Sequence, residues 1–171
     1  MKATRLATLV LLPLLLISCS VGRRMVPQSD IDAYEVGKEV FDTRILLASR
    51  DSDFKVDVAR RIGESLKDEP VYVKFIGIDQ LDDEDVSQYS AIVIMTKCIA
   101  WGLDPETSAF LDKNPELSNI VVLITSGNGD WKPDMEGMKF DAVTSASVLE
   151  NAGSITEEIL EKVHKIVDTE A

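Results

Sequence analysis

Apolar runs alternate with amphipathic stretches along most of this chain. The runs are apolar at consecutive positions, which is typical of strands buried on both faces of a sheet. They occupy residues 45–48, 71–78, 91–95, 120–124 and, more weakly, 141–145. Strands of this kind separated by helical segments indicate a parallel sheet with helices on both faces. The pattern therefore predicts an α/β domain, a five-stranded parallel sheet doubly wound by right-handed crossovers into three layers.

The segments between the runs carry helical periodicity. A helix is predicted over 56–68, because its apolar residues recur three and four positions apart, and a shorter helix over 107–111. A closing helix follows Ser154, which forms a predicted capping box with Glu157. Residues 127–140 are rich in glycine and proline, lack this periodicity and are predicted to form a loop.

The first eighteen residues have the composition of an export signal. A basic start is followed by an apolar run over 6–17. Ser18 and Cys19 follow this run, so that the segment closes with the sequence Leu16-Ile17-Ser18-Cys19. The run falls short of the ~20 residues that a membrane-spanning helix needs, so a cleaved signal is favoured over an uncleaved anchor. We therefore divide the chain into a signal peptide over 1–18, a tether and lead-in over 19–42, and a folded domain over 43–171.

The ending of this signal resembles the lipobox of bacterial lipoproteins, in which leucine and a small residue precede a cysteine. The resemblance implies that Cys19 is lipidated, with palmitate among its acyl groups, and becomes the new N-terminus. It also implies a protein of the bacterial cell envelope that lies outside the cytoplasm. The membrane, reached through Cys19, is then one partner of the protein.

Charge and cysteine content exclude several functions. The chain has 18 basic and 30 acidic residues and a formal net charge of −12 at pH 7. It lacks the basic cluster that follows a phosphate backbone, so we expect no nucleic-acid partner. With Cys19 lipidated, Cys98 has no partner for an intramolecular disulfide. The single histidine, His164, argues against a Cys/His metal centre, and we expect no metal.

A resemblance to flavodoxins begins at the third apolar run. Residues 91–111 read AIVIMTKCIAWGLDPETSAFL, and flavodoxins have a strand here that leads into a loop ending Trp-Gly, then a proline and a helix with Phe-Leu. Residues 120–131 resemble the fourth flavodoxin strand and its flavin-side loop. The resemblance covers about 44–168. It implies a flavodoxin-like fold with strand order 2-1-3-4-5, FMN as cofactor, and electron transfer with a redox partner protein.

In that fold the ligand lies outside the carboxyl ends of the strands, where the strand order reverses. The resemblance implies FMN contacts from three turns and from one later serine, namely Ser49, Arg50, Ser52, Thr96, Cys98, Ile99, Trp101, Gly102, Ser126, Gly127, Trp131 and Ser147. Ile99, Trp101 and Trp131 are placed to stack on the isoalloxazine. Alternatively, Trp101 packs on the next helix. Cys98 is either a reactive thiol or a small buried apolar group.

The first of these turns departs from the flavodoxin pattern. Flavodoxins hold the FMN phosphate with Ser/Thr-x-Thr-Gly-x-Thr, whereas residues 49–55 read SRDSDFK and contain no glycine. Asp51 and Asp53 stand near the expected phosphate, and at ~5 Å and an effective dielectric near 20 each charge pair repels by roughly 3 kcal/mol. We therefore expect weak FMN capture, with Asp51 or Asp53 serving instead as the N-cap of the first helix.

A covalent route to FMN is suggested further along the chain. Residues 141–147, DAVTSAS, resemble the Asp-x-x-Ser/Thr-Gly-Ala-Thr/Ser motif of extracytoplasmic flavoproteins. This resemblance implies attachment of FMN to Ser147 through its phosphate. Ser145 stands where the motif has glycine. The alternative is a fifth strand that ends in a serine-rich turn.

Three functions remain as hypotheses. The first is a membrane-anchored FMN-binding electron-transfer protein. The second is a flavin-free flavodoxin-like module for binding or scaffolding at the cell envelope. The third, a hydrolase on the same scaffold, has the least support because the chain contains no Gly-x-Ser-x-Gly turn. An electron carrier or a binding protein is therefore favoured over an enzyme.

Overall fold

A computed structural model of the chain describes residues 29–133 and 139–170. The signal peptide and residues 19–28 of the tether and lead-in, Cys19 among them, lie outside these residues. In chain order the elements are β1 (Tyr34–Gly37), β2 (Thr43–Ser49), α1 (Asp53–Leu66), β3 (Val71–Gly77), β4 (Ala91–Ile99), β5 (Gly102–Leu103), α2 (Pro105–Lys113), β6 (Ile120–Ser126), β7 (Asp141–Ala146) and α3 (Ala152–Glu170). Within the described ranges, no helix has the length and apolar character needed to cross a membrane.

The five predicted strands form a parallel sheet in the predicted order. Neighbouring strands run β3-β2-β4-β6-β7, which is order 2-1-3-4-5 of the five apolar runs. All four of these pairs are parallel. The register places Leu47 between Phe75 of β3 and Val93 of β4. The α/β fold class and the strand order are confirmed.

Two short strands extend the predicted sheet. β1 pairs antiparallel with β3 at one edge, and β5 pairs antiparallel with the end of β4. β1 lies inside 19–42, the range assigned to the tether and lead-in, so the sheet starts before residue 43. It ends at Gly37, whose φ is +86° and where a Cβ would lie 2.0 Å from the Val71 carbonyl oxygen. A four-residue strand that ends in such a turn gives little periodicity in the sequence.

The sheet separates two apolar cores, because alternate side chains of each strand point to opposite faces. On one face α1 and α3 cover a core that includes Ile45 and Leu47. On the other face, α2 and the 3-10 turns at Ile78–Asp83 and Val86–Gln88 accompany a core that includes Leu46. Each fully buried leucine or isoleucine contributes ~2 kcal/mol. This burial on both faces explains why the strand runs are apolar without alternation.

α1 begins with a different cap from the one predicted. Its N-cap is Ser52, whose Oγ accepts a hydrogen bond from the Lys55 amide at 3.3 Å. Asp53 is the first residue of the helix, where its carboxylate is favoured by the helix dipole. Asp51 precedes the cap. The expectation that Asp51 or Asp53 caps α1 was therefore wrong, because a serine stood between them in the right conformation.

α3 begins earlier than predicted. Its first residue is Ala152, so Ser154 lies inside the helix and its Oγ donates to the Asn151 carbonyl oxygen at 3.1 Å. The predicted capping box of Ser154 with Glu157 is therefore not formed. Before β7, residues 127–133 and 139–140 of the predicted loop contain no helix, as expected.

Candidate functional site

The predicted turns meet at one edge of the sheet. β2, β4, β6 and β7 are parallel, so their carboxyl ends face the same side. The turn after Ser49, the hairpin over 96–102 and the loop over 126–131 lie at these ends, and Ser147 directly follows β7. The strand order reverses between β2 and β4, which is where ligands bind in open α/β sheets.

Arg50 links three chain segments at this edge and is only 6% exposed. Its Nη1 donates to both carboxylate oxygens of Asp30, at 2.9 and 3.0 Å. Its Nε and Nη2 donate to Asp104 at 3.2 and 2.9 Å, and Nη2 also contacts Glu106. Burial by itself would lower the pKa of Arg50, but the bonds to Asp104 and Glu106 outweigh it and raise that pKa. The guanidinium therefore stays charged and holds the lead-in, the end of β2 and the start of α2 together.

Carboxylates outnumber cations in direct contact at this cluster. Burial tends to raise the pKa of Asp104, yet the hydrogen bond and the charge of Arg50 lower it below its usual range. Asp79 lies against Asp30, and hydrogen bonding with that carboxyl raises the pKa of Asp79. The cluster of Arg50 with Asp30, Asp104 and Glu106 thus carries excess negative charge at neutral pH.

The lead-in uses backbone groups of the first turn. The Asp51 amide donates to the Ser29 carbonyl oxygen at 2.6 Å, and the Ile31 amide donates to the Ser49 carbonyl oxygen at 3.3 Å. The Arg50 amide continues the sheet by donating to the Met95 carbonyl oxygen at 3.2 Å. The amides of residues 50 and 51 are therefore already hydrogen-bonded within the protein.

Lys55 lies on the core-facing side of the first turn of α1 and is 1% exposed. Burial lowers the pKa of Lys55 to about 8, and repulsion from Lys97 and Arg50 acts in the same direction against the attraction of Asp104. A buried amine costs free energy when it is charged. Lys55 thus adds a second cation to the edge, but its side chain is enclosed by protein.

Two predicted site hydroxyls have partners inside the protein. Ser49 is fully buried and donates to the Arg50 carbonyl oxygen at 2.8 Å. Thr96 is also fully buried; its Oγ1 accepts from Thr107 Oγ1 at 3.0 Å, and its carbonyl oxygen accepts from Thr125 at 3.1 Å. These bonds tie β4 to α2 and β6. They leave Ser49 and Thr96 facing the interior.

A tight hairpin presents Trp101 to solvent. Ile99 pairs with Gly102 across the hairpin, and the two residues between them have positive φ, +48° for Ala100 and +66° for Trp101. Two-residue turns of this kind favour Asn-Gly, and each ordinary residue in this region costs ~1 kcal/mol or more. Trp101 is 83% exposed, so the alternative in which it packs on α2 is wrong. Cys98 is half-buried against the core on the α2 face of the sheet, which includes Leu46 and is called the α2-side core below.

The loop after β6 is held against β7. Ser126 Oγ accepts from the Gly129 amide at 3.1 Å, and Gly129 has a φ of +80°. A Cβ at Gly129 would lie 2.4 Å from the Ala146 amide nitrogen, so only glycine fits there. Gly127 is exposed in open space. Trp131 packs its half-buried side chain against the α2-side core.

Ser147 is exposed directly after β7. The preceding Ser145 is buried, donates to the Ala146 carbonyl oxygen at 2.8 Å and accepts from Asn151 Nδ2 at 3.2 Å. Residues 141–146 therefore form a strand, as one of the two sequence-based alternatives predicted. Attachment of FMN to Ser147 stays a prediction, and the exposure of Ser147 is compatible with it.

Comparison of whole structures defines the fold further. No family model and no curated protein matches the chain. A flavodoxin from the domain Archaea matches with a TM-score of 0.52 and 12% identity, over 72% of this chain and 99% of that one. The Flv1 flavodiiron core of Synechocystis matches with a TM-score of 0.53 and 10% identity, over 77% and 38% of the two chains. The fold is flavodoxin-like.

A larger protein contains a similar part. The rubredoxin oxygen:oxidoreductase of the anaerobe Desulfovibrio gigas matches with a TM-score of 0.51 and 15% identity, over 80% of this chain and 38% of that one. This chain therefore spans less than two fifths of the length of that oxidoreductase and of the Flv1 core. At these identities the similarity concerns the flavodoxin-like fold alone.

The flavodoxin-like edge does not fit a flavin phosphate in the way flavodoxins hold one. Its first turn has no glycine, and the amide of Asp51 is bonded to the lead-in. Arg50, the cation of that turn, is bound by three carboxylates. A phosphate of nearly two negative charges needs free amides and an unpaired cation. The amides of residues 50 and 51 and the Arg50 guanidinium are already bound within the protein, and Lys55 is enclosed.

Sequence reasoning missed all three acids that pair with Arg50. Asp104 and Glu106 carry a weak signal, since an acid before Pro105 and one after it are typical of a helix start. Asp30 carries no local signal, because its contact depends on the fold of the lead-in. Among residues 29–133 and 139–170, no group of three or more His, Cys, Asp or Glu residues is arranged to hold a metal ion.

Proposed function

We propose that this protein is a lipid-anchored module of the cell envelope whose flavodoxin-like domain binds a partner without a flavin. The single observation that supports this most is that the side chain of Arg50 is already occupied by other residues of the protein. The guanidinium is buried and bound by Asp30, Asp104 and Glu106. In a flavodoxin-like fold this turn is expected to receive the phosphate, and here its cation is already neutralised.

The proposed anchor rests on the sequence from Lys2 to Cys19. Its basic start, short apolar run and Leu-Ile-Ser-Cys ending favour export, cleavage before Cys19 and acylation of that residue. Mass spectrometry of the protein made in a bacterial host tests this. We expect a mature chain that begins at an acylated Cys19, and a Cys19→Ser variant without the acyl mass. An unmodified, uncleaved chain would reject the anchor.

A second candidate function is electron transfer with bound FMN. One observation favours it: Trp101 is 83% exposed on a strained hairpin, in the position where flavodoxins stack the flavin. FMN would be held by stacking on Trp101, or covalently through Ser147, and would supply one- and two-electron redox chemistry. A redox partner protein would then be the natural partner. This candidate lacks a suitable phosphate turn.

Flavin fluorescence distinguishes the two candidates. Mature protein in detergent is titrated into FMN, and for a flavin-free module we expect no quenching up to hundreds of micromolar. Affinity tighter than ~1 µM, about 8 kcal/mol, would instead support the electron carrier. An FMN-sized mass increase that is lost in Ser147→Ala, with Ser87→Ala as an exposed control, would establish the covalent route.

A further inference from the structure

A groove of about 570 Å³ runs between α1 and the segment that contains the lead-in and β1. Its walls include Ile31, Tyr34 and Val36 on one side and Val56 and Ala59 on the other. Tyr34 stacks on Phe75 with ring centroids 4.1 Å apart, yet 41% of Tyr34 is exposed. Val56 is 44% exposed. The groove is thus open and largely apolar, and it shares one residue, Asp30, with the Arg50 cluster.

The strand beside this groove has a free edge. β1 ends the sheet and pairs only with β3 among the described strands. In an antiparallel pair, alternate residues of an edge strand direct their amide and carbonyl groups outward. An added strand would satisfy these groups and would place alternate side chains over the groove. This combination of edge and groove is the geometry of recognition by strand addition.

The charges around the groove select the type of partner. Its two basic residues are already paired, Arg60 with Asp57 at 2.6 Å and Lys67 with Glu64 at 3.3 Å. Asp32 and Asp51 also line it, and neither forms an ion pair with any residue in the described ranges. A lysine or arginine at one end of the bound segment would be attracted by these two carboxylates.

We propose that this groove binds an extended segment of a protein partner. The segment pairs with β1, inserts one apolar side chain between Tyr34 and α1, and places a basic residue near Asp32 and Asp51. The inference rests on the proposed function as a binding module and identifies the surface and the chemistry of what it binds. Neither Tyr34 nor Val56 is among the residues expected to contact FMN, so a test through these two side chains is independent of flavin.

Selection from a random displayed octapeptide library on the full mature protein tests the proposal, with counter-selection on Val56→Asp. Val56 lies in the first turns of α1, where an added aspartate is compatible with the helix dipole, so the variant is expected to fold. Val40→Asp is the matched control, because Val40 is also an exposed valine (80%) but does not line the groove.

We expect enriched peptides with alternating apolar residues and a terminal lysine or arginine. Synthesised, they should bind Val56→Asp at least about ten-fold more weakly than wild type and bind Val40→Asp within about two-fold of it. Methylation of alternate peptide amides should abolish binding. Amide chemical shifts of residues 34–37 should change on binding and those of α2 should not.

Three results would overturn the proposal. The first is no enrichment over the counter-selected variant, and the second is peptides that bind wild type and Val56→Asp equally. The third is a wild-type dimer by sedimentation that Val56→Asp dissociates, since the occupant is then a second copy of this chain. The FMN titration separately decides whether the module is flavin-free, so the failure of either claim can be told from the failure of the other.

Discussion

At the scale of single residues, charge burial dominates the behaviour of the carboxyl edge. Arg50 is nearly enclosed and satisfied by three carboxylates, while Lys55 is enclosed with cations as neighbours. The first arrangement is stable only while every partner is present, because an uncompensated buried charge costs about 3 kcal/mol or more. The second arrangement lowers the free energy of unfolding whenever the Lys55 amine is charged. Both can be measured through the pH dependence of stability.

Replacing Asp104 by asparagine should destabilise the protein by about 2–3 kcal/mol at pH 7, because Arg50 loses the most buried of its three counter-charges. The pKa of Asp104 is lowered in the folded state, so its stabilisation is present above its unfolded value near 4 and is lost as pH falls through the lower folded value. Urea unfolding should show wild type losing more stability than Asp104→Asn as pH is lowered in that range. Asp112→Asn, an exposed acid on the same helix, should behave as wild type.

Replacing Lys55 by methionine should stabilise the protein by about 1–3 kcal/mol at pH 7, since a buried charge becomes an apolar group of similar length. The pKa of Lys55 is lowered to about 8 in the folded state against about 10.4 unfolded. The unfolded chain therefore binds more protons between these values, and wild-type stability should gain a rising contribution with pH there. Lys55→Met should lack that contribution and Lys38→Met, at an exposed position, should keep it. Identical slopes in all three proteins would contradict the burial of Lys55.

At the scale of elements, the turns at the carboxyl edge differ in how strongly they are constrained. The β4–β5 hairpin keeps Ala100 and Trp101 in a backbone region that favours glycine. The loop after β6 meets the same demand with Gly129, which contacts the end of β7. The hairpin thus carries strain beside the exposed tryptophan, whereas the loop avoids it. Backbone strain of this kind concentrates at functional surfaces.

Two glycines of the β6–β7 loop, Gly127 and Gly129, provide a matched test. Gly129→Ala should cost about 2 kcal/mol or more, because its positive φ and the Ala146 backbone at 2.4 Å both exclude a Cβ. Gly127→Ala should change stability by less than about 0.5 kcal/mol, since no heavy atom lies within 4 Å of its Cβ position. Thermal unfolding of both variants measures the difference. Equal effects would mean that the loop is not held against β7.

At the scale of the whole molecule, a flavodoxin-like sheet has at its carboxyl edge a buried arginine that is bound by three carboxylates. The sheet order is that of a flavodoxin-like fold, while the lead-in adds Asp30 and β1 to it. The lead-in thereby bonds to the first turn at one end and forms one wall of the groove at the other. The segment that the sequence analysis assigned to a tether and lead-in therefore shapes both surfaces.

Thermal stability provides a whole-molecule test of the flavin-free proposal. A ligand at 100 times its dissociation constant stabilises a protein by about 2.7 kcal/mol, which raises Tm by several degrees for a domain of this size. We therefore expect 100 µM FMN to leave Tm unchanged within about 1 °C, where a flavodoxin-like site with Kd near 1 µM would raise it clearly. A rise that Trp101→Ala abolishes would favour the electron carrier, and retention of that rise in Tyr34→Ala would show that the groove is not involved.

The sequence pattern determined the α/β class and the five parallel strands, and the resemblance to flavodoxins implied their order. Runs such as 120–124 are apolar at every position, and only a strand covered on both faces buries all of them. The absence of glycine over 49–55 is likewise a local property, and from it the sequence predicts weak FMN capture. The export signal and lipidation of Cys19 are likewise sequence predictions, and they stay predictions because those residues lie outside the described ranges.

Only the tertiary structure decided which side chains meet at the carboxyl edge of the sheet. Asp30, Arg50 and Asp104 are distant in sequence, and no periodicity indicates that their side chains converge. The same holds for β1, whose pairing with β3 depends on a neighbour more than thirty residues away. Local patterns report which faces are buried, because burial acts on each side chain separately. Ion pairs and strand edges depend on which segments meet, and that is set by the folded chain as a whole.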